Sequence, residues 1–344
     1  MMQITSSSIS GSDTVAYGWR GFALWLAVGA PLITFLIFVG LVVLDPFDTS
    51  RLTPLDHPGV APQRAQTSDA SAGRDPAYDS AIIGNSQIET LDPDVLSAAT
   101  GLHFVNLAAE GTGPNEELAV MDYFRRMHGS PRAFVIGMDA TWCLDSLTDI
   151  LPFPHWLYDP SDLHYLRGMF RLAALERVPD RIAILTGHRL PAKRNQHEVE
   201  GDLAAYFHSR GRDDPDKLHR LLNAIPRQTV PYNSTGVFAA VEPLNEWVAR
   251  APATTAIVFV WTPVYIEYQP VAGSSADAMV KKCHAAYDAI AGSRPLTAVV
   301  DWSDDRPESH VDVNFYDPTH YRPNIARRIE QDIASTLIGL EKQN

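Results

Sequence analysis

The chain has 344 residues, of which 45% are apolar and 20% are charged, as in an ordinary globular protein with a sizeable core. Its formal net charge of −13 repels phosphate backbones, so the composition excludes nucleic acid as an expected partner. The same acidity disfavours binding to anionic lipid headgroups, so any attachment to a bilayer must come from apolar burial.

The first predicted element is a membrane-spanning helix. No residue from 21 to 44 is charged, and a helix of that length crosses a hydrocarbon core of about 30 Å. The run is longer than the apolar part of a signal peptide, and such a run is rare inside a soluble domain. Arg20 precedes it, whereas Asp45 and Asp48 follow it. The positive-inside rule then predicts a cytoplasmic tail over residues 1–20 and an extracytoplasmic domain, periplasmic in a Gram-negative cell.

Beyond the span, residues 45–77 are rich in Pro, Ser, Ala and Asp, which predicts a linker. Apolar runs then alternate with helical patterns from residue 78 to 342, and a polar, irregular stretch over 188–235 indicates an insertion or lid. Strands are predicted over residues 80–83, 103–107, 133–138, 255–261 and 296–301. Helices are predicted over residues 93–100, 114–128, 161–176, 237–250, 275–291 and 323–340, with a further apolar run over 181–185. This alternation predicts an α/β domain with a mainly parallel sheet covered by helices on both faces.

Ligands of such sheets bind at the carboxyl ends of the strands, so the residues after each strand carry the functional expectations. The first strand ends in Gly84-Asn85-Ser86, where the serine is either a hydroxyl presented at the sheet edge or a helix cap. The second strand ends at Asn106, and Gly111 and Gly113 follow in a turn. That turn either allows close approach of the backbone to a ligand or is a plain connection.

A third motif lies just before the last predicted helix. Asp317 precedes His320 by three residues on a turn that contains Pro318. An aspartate so placed can bond the imidazole and fix its tautomer, which leaves the other ring nitrogen to take a proton from a serine. The competing interpretation is a surface histidine in the first turn of a helix.

In this order along the chain, the three motifs resemble the SGNH (GDSL-type) superfamily of esterases and acyltransferases. Gly84-Asn85-Ser86 resembles its Gly-Asp-Ser block, Asn106 with Gly111 its second block, and Asp317 with His320 its Asp-x-x-His block. The resemblance covers residues 78–342 and implies a three-layer α/β/α, flavodoxin-like domain.

The resemblance also implies a role for each of these residues. Ser86 would be the nucleophile, His320 the general base, and Asp317 the group that orients it. The backbone N–H groups of Ser86 and Gly111 would form the oxyanion hole. No cofactor is implied, and the histidines match no metal-binding spacing.

Two positions depart from the family pattern. The third block, Gly-x-Asn-Asp, supplies an oxyanion-binding Asn, but Met138 stands at that position and cannot donate a hydrogen bond. Loss of one such donor costs about 2.7–4 kcal/mol of transition-state stabilisation. Asn85 replaces the aspartate of the first block, and Asn115 or Thr141 is a possible replacement donor. The polar residues expected to contact substrate are Asn85, Asn106, Asn115, Asp139 and Thr141.

A membrane-anchored domain of this kind is similar to the alginate O-acetylation proteins. That likeness implies an esterase or O-acyltransferase acting on an envelope or exported polysaccharide, with a bilayer and a membrane acyl-donor protein as partners. The alternative is a catalytically degenerate relative that binds glycan or a partner protein, which a gross separation of Ser86 from His320 would favour. Four aromatic residues are either sugar platforms or, as is more common near strand ends, core: Trp156, Tyr158, Tyr165 and Trp261.

Cys143 and Cys283 are the two cysteines, and they match no zinc or redox spacing. An oxidising compartment would permit a disulfide. Because free cysteine is among the most buried residue types, the expectation is two separate buried thiols.

Overall fold

The computed structural model describes residues 12–55, 57–61, 63–191 and 205–342. Residues 1–11 of the predicted tail and residues 192–204 of the predicted insertion therefore lie outside the described residues.

Five parallel strands form one sheet in the order β2-β1-β3-β4-β5. The strands are β1 (Ser80–Ile83), β2 (Phe104–Asn106), β3 (Ala133–Met138), β4 (Ala256–Trp261) and β5 (Thr297–Asp301). This is the flavodoxin-like order, in which the chain reverses direction across the sheet between β1 and β3. The prediction of an α/β domain with a parallel sheet is confirmed.

Helices cover both faces of the sheet. In chain order, the helices named here are α1 (Ser12–Leu44), α2 (Ala65–Ala72), α3 (Pro93–Thr100), α4 (Pro114–His128), α5 (His155–Tyr158), α6 (Asp162–Met169), α7 (Leu172–Glu176), α8 (Val178–Leu185), α9 (Pro215–Leu222), α10 (Val241–Arg250), α11 (Ser275–Gly292) and α12 (Pro323–Glu341). Helices α4, α10 and α11 pack on one face, and α3 and α12 pack on the other.

The two-sided cover explains why the central strands are apolar throughout. Along β3, Phe134 and Ile136 enter the core on the α4 face, whereas Val135 enters the core on the α12 face. Because side chains alternate along a strand, Met138 points the same way as Phe134 and Ile136, and it is fully buried. Met138 is therefore a core residue.

Helix α1 contains a segment, Gly18–Leu44, that is long and apolar enough to cross a membrane. Only 6% of its most apolar window is buried. Length and composition fit a membrane span, and the position near the N-terminus also fits a signal sequence.

The segment predicted as a linker packs against the domain instead of forming a loose tether. Phe47 and Asp48 are buried, and the Asp48 carboxylate forms ion pairs with Arg74 and, at 2.9 Å, with Arg181. The Ser71 hydroxyl also donates to it, at 2.7 Å. Ser71 and Arg74 belong to the same predicted linker, whereas Arg181 on α8 attaches the segment to the domain. Composition did not reveal these contacts because the partners of Asp48 lie far from it along the chain.

Two other predicted elements differ from the structure. The single helix expected over residues 161–176 is two helices, α6 and α7, because Arg171 between them is extended, with φ −149° and ψ 155°. The apolar run over residues 181–185 belongs to helix α8. In the predicted insertion, residues 205–209 and α9 are helical.

The expectation of two separate thiols is wrong. Cys143 and Cys283 form a disulfide, with their Cα atoms 5.6 Å apart. It joins the turn after β3 to helix α11 across a sequence separation of 140 residues. Spacing along the chain carries no information about such a pair, because the two residues meet only when α11 packs on the face of the sheet that the turn after β3 also covers.

Candidate active site

The turn after β1 presents Ser86 at the carboxyl edge of the sheet. Gly84 permits this turn, since a β-carbon there would lie 2.7 Å from Cγ2 of Ile88. The Asn85 side-chain oxygen accepts a hydrogen bond from the backbone N–H of Gln87 at 3.0 Å, which fixes the turn locally. Ser86 is partly exposed, so its hydroxyl is open to a ligand.

Ser86, His320 and Asp317 form a continuous hydrogen-bonded chain. The distance from Ser86 Oγ to His320 Nε2 is 2.9 Å, and His320 Nδ1 lies 2.9 Å from each carboxylate oxygen of Asp317. A carboxylate can only accept, so Nδ1 carries the proton and Nε2 accepts from the serine hydroxyl. The structure thus brings the three residues together in the arrangement that activates a serine nucleophile.

The Asp317 carboxylate is held ionised by its partners. Burial opposes ionisation, but the hydrogen bonds from His320 and from the Thr319 backbone outweigh it and hold the pKa of Asp317 below its usual value. Oδ1 accepts the backbone N–H groups of Thr319 and His320, each at 2.9 Å. The backbone of the turn therefore fixes the position of the carboxylate, and the carboxylate in turn orients the imidazole.

An aromatic residue of the predicted insertion packs near the imidazole of His320. Phe207 is buried and stacks on Tyr316, with ring centroids 4.7 Å apart and an interplanar angle of 6°. The same ring lies 5.5 Å from the imidazole of His320. Arg322 lies over the Tyr316 ring at 4.2 Å, so the residues around the histidine are packed on several sides.

A polar cluster centred on Asp139 lies beside the Ser86 turn. Asp139 Oδ2 accepts from Asn85 Nδ2 at 2.7 Å and from Gln87 Nε2 at 3.0 Å, while Oδ1 accepts from the backbone N–H and the hydroxyl of Thr141. The Thr262 hydroxyl donates to Gln87 Oε1 at 2.9 Å. The cluster ties the residues after β1, β3 and β4 into one edge.

Two backbone N–H groups are available as oxyanion donors. Within the part of the chain that the structure describes, no acceptor bonds the backbone N–H of Ser86 or of Gly111. Gly111 adopts φ +65°, in the left-handed region, and a β-carbon there would lie 2.4 Å from Leu151 Cδ1. Only glycine fits that turn without moving the side chain that covers it.

Two of the predicted substrate-binding residues, Asn106 and Asn115, form their hydrogen bonds outside the cluster around Asp139. The Asn106 amide donates to the backbone carbonyls of Glu89 and Leu91 at 3.0 and 2.9 Å, and its oxygen accepts from the N–H of Ala108. All of its polar atoms are thus used to tie the loop between β1 and α3 to β2. The amide of Asn115 donates to Asp149 at 2.6 Å, on the loop after β3.

Glu117 is a fully buried carboxyl in helix α4, close to the site. Burial raises its pKa well above the usual value, and the charge of Asp139 raises it further. Trp142 Nε1 donates to its Oε2 at 3.1 Å. Burial and the charge of Asp139 therefore both favour the neutral form of this carboxyl.

Sequence reasoning missed Gln87, Thr262 and Phe207. Gln87 lies in the turn after β1 and Thr262 directly follows β4, so the rule that directs attention to strand ends was sufficient to find them. Phe207 gave no signal, because its contact with His320 depends on how the insertion folds back over the domain. Of the aromatic residues considered as sugar platforms, Tyr158, Tyr165 and Trp261 are core residues and Trp156 is partly buried against the same core.

No protein-family model matches the sequence, and comparison with curated proteins found no match. Among solved structures, the chain is similar to a carbohydrate esterase family 2 enzyme plus carbohydrate binding domain from Corynascus thermopiles (Myceliophthora fergusii). The identity is 12% and the TM-score 0.37, over 78% of this chain and 67% of that one. At these values the likeness is too distant to assign a fold, an activity or a residue's role.

Proposed function

We propose that this protein is a serine esterase or O-acyltransferase that forms an acyl-enzyme on Ser86. The observation that carries the proposal is the hydrogen-bonded chain Ser86–His320–Asp317, with 2.9 Å at each link. A gross separation of the serine from the histidine would have favoured a purely binding protein, and the observed distance is that of a hydrogen bond.

The reaction proceeds in two halves. Ser86 Oγ attacks the carbonyl carbon of an ester as its proton passes to His320 Nε2, while Asp317 stabilises the imidazolium. His320 then returns the proton to the departing alcohol oxygen, which leaves an acyl-serine. Water or a sugar hydroxyl attacks that ester in turn, again losing its proton to His320, and the collapse of the intermediate regenerates Ser86. Hydrolysis and transfer differ only in the second nucleophile.

The oxyanion is held by the backbone N–H groups of Ser86 and Gly111. A third donor, supplied in the SGNH superfamily by an Asn, is missing because Met138 is turned into the core. Loss of one donor of this kind costs about 2.7–4 kcal/mol, or roughly 10²–10³ in rate. We therefore expect turnover to be slow on small activated esters.

We further propose that helix α1 anchors the enzyme in a membrane with the α/β domain outside the cytoplasm. Arg20 at the N-terminal end of the apolar segment supports this orientation through the positive-inside rule. The Cys143–Cys283 disulfide supports it independently, because structural disulfides persist mainly in oxidising compartments.

The substrate class follows from that location. An enzyme on the outer face meets acyl esters of envelope or exported glycans, which we propose as its substrates. Acyl-coenzyme A is a cytoplasmic donor, so the transferase version needs an acyl group delivered through the membrane by a partner protein. The hydrolase version needs no partner.

The test compares Ser86→Ala with Ser335→Ala, an exposed serine on helix α12. Wild type and Ser335→Ala should hydrolyse p-nitrophenyl acetate and give an acetylated Ser86 peptide in rapid-quench mass spectrometry, and Ser86→Ala should do neither. Equal turnover by all three proteins would refute the acyl-enzyme. Absence of turnover and of labelling by a fluorophosphonate in the wild type would favour the alternative, a glycan- or partner-binding relative.

A further inference from the structure

Helices α6, α7 and α8 expose large apolar side chains close to helix α1. Phe170 is 61% exposed, Leu172 68%, Leu175 43% and Ile182 45%. We call these four residues the juxtamembrane patch. Exposed apolar side chains are common singly, but four within thirteen residues of short helices suggest a surface that is covered in the working protein.

The patch adjoins the last two turns of α1. The rings of Phe38 and Phe170 pack edge to face, with centroids 5.7 Å apart. Leu41 is buried against the domain, and Arg181 of α8 donates to the backbone carbonyl of Leu44 at 3.0 Å. Helix α1 is therefore fixed to the same helices that carry the patch.

The depth of the juxtamembrane patch in the bilayer follows from the length of the apolar segment. A hydrocarbon core of about 30 Å takes up about 20 helical residues at 1.5 Å each. If it begins after Arg20, at the first uncharged residue, it ends near Gly40. Phe38 then lies just inside the outer boundary of the hydrocarbon, and Phe170, in contact with Phe38, lies at the same level.

We propose that the juxtamembrane patch is a second membrane-contact surface, inserted into the outer leaflet of the bilayer beside helix α1. This inference rests on the proposed membrane span. Interfacial helices insert an apolar face to the boundary between headgroups and acyl chains, which is the level derived for Phe170. The exposed Arg167 and Arg171 flank Phe170. The Arg171 guanidinium lies over the Trp156 ring, 5.0 Å from its centroid, whereas a side chain at the position of Arg167 can extend its guanidinium group to lipid phosphates.

Attachment at two places restricts the motion of the domain. A single helix on a loose linker would leave the domain free to turn, whereas the Asp48 ion pairs and the patch hold it in one orientation on the membrane. The enzyme would then act on acyl esters that lie close to the membrane surface, because the domain could not swing out to reach esters farther away.

The test places a fluorescent probe at three positions of the full-length protein in phospholipid vesicles. Each of Leu172→Cys, Leu32→Cys and Val313→Cys is labelled with an environment-sensitive dye, and the vesicles contain lipids brominated high on the acyl chain. Leu32 lies in the middle of the span. Val313, 66% exposed, is the matched control, because the neighbouring Phe315 belongs to the core on the sheet face opposite α1. The native cysteines are bonded to each other and do not react.

We expect a blue shift and loss of emission for the probes at Leu172 and Leu32, with neither at Val313. If the Leu32 probe is quenched and the Leu172 probe behaves like the Val313 probe, the patch does not touch lipid and the proposal is overturned while the span stands. If the Leu32 probe is not quenched, the span and the patch both fail. Equal quenching at Leu172 and Val313 also overturns the proposal, since contact would not be specific to the patch. The Ser86→Ala assay is independent of all these readings, so failure of the esterase proposal is recognised separately.

Discussion

The substitution Asp317→Asn reverses the role of His320 without disturbing the turn that holds it. Asp317 Oδ1 accepts two backbone N–H groups, from Thr319 and His320, and both require an oxygen. In the variant the amide oxygen therefore takes the Oδ1 position, and the NH₂ group takes the Oδ2 position, 2.9 Å from His320 Nδ1. Oδ1 also lies 2.9 Å from Nδ1, but it already accepts the two N–H groups and the Thr319 hydroxyl, so the loss of Oδ2 removes the acceptor that is free for the ring. An NH₂ group only donates, so the ring proton moves to Nε2, which then faces Ser86 and can no longer accept a proton.

The expected loss follows from that tautomer. Reversal of the histidine tautomer in a Ser-His-Asp triad lowers kcat by about 10⁴-fold, equivalent to about 5.5 kcal/mol. The two backbone bonds survive, so the folded protein should lose only the charged component of the interaction, about 1–3 kcal/mol. The pKa of Asp317 is lowered in the folded state, so its ionic contribution is complete above the unfolded pKa and disappears as the pH falls through the folded value. Assays at neutral pH therefore measure the full effect.

The assay follows p-nitrophenyl acetate hydrolysis and the rate at which a fluorophosphonate labels Ser86, with circular dichroism melting to verify folding. Thr319→Val is the matched control, because its hydroxyl gives Asp317 only one bond of 3.2 Å, and we expect less than about a tenfold effect on either rate. If Asp317→Asn is folded and retains more than about a tenth of the wild-type rates, the inferred tautomer is wrong.

Three further predictions test other parts of the structure. Burial raises the pKa of Glu117 in the folded protein, so the stability of the wild type should fall as the pH rises from the ordinary pKa of a glutamate through the raised one. The variant Glu117→Gln should show a flatter profile of Tm over the same rise in pH. Gly111→Ala should lower esterase activity by about 10²-fold through the oxyanion turn. Gly101→Ala has the same left-handed backbone but nothing within 4 Å, so it should lose only about 1–2 kcal/mol of stability and keep its activity. Replacing both Cys143 and Cys283 with serine should lower the unfolding free energy by about 2–5 kcal/mol in denaturant titrations, and unchanged midpoints with and without reductant would contradict the disulfide.

The regular elements were the part of the fold most accessible from sequence. β1 and β3 begin and end where the apolar runs do, and α4 begins at Pro114 and ends before Gly129, as local capping chemistry requires. The break between α6 and α7 was not predicted, because Arg171 is a good helix former whose extended backbone is imposed by packing. The disulfide was also missed, since the spacing of two cysteines says nothing about helices that meet in three dimensions.

The candidate site divides in the same way. The Asp317–His320 link joins residues three apart, and a short turn fixes it, so the sequence suffices to predict it. The hydrogen bond between Ser86 and His320 joins residues 234 apart, and that between Gln87 and Thr262 joins residues 175 apart. Both depend on the order of parallel strands, which places the ends of β1, β3 and β4 at one edge. Asn106 illustrates the converse, since it is the last residue of β2, at a strand end as the rule requires, yet its side-chain amide bonds the loop between β1 and α3.

By itself, the sequence determined the five strands and most of the helices that cover the sheet, that one apolar helix precedes them, and that a serine, a glycine turn and an Asp-x-x-His pair follow strand ends. These are local properties, set by the spacing of apolar side chains and by the backbone preferences of Gly, Pro and Asp. Only the tertiary structure decided that Ser86 meets His320, that Met138 is turned into the core, and that the segment after the apolar helix is fixed by the Asp48 ion pairs. Those outcomes depend on strand register and on contacts between distant residues, and neither leaves a pattern along the chain.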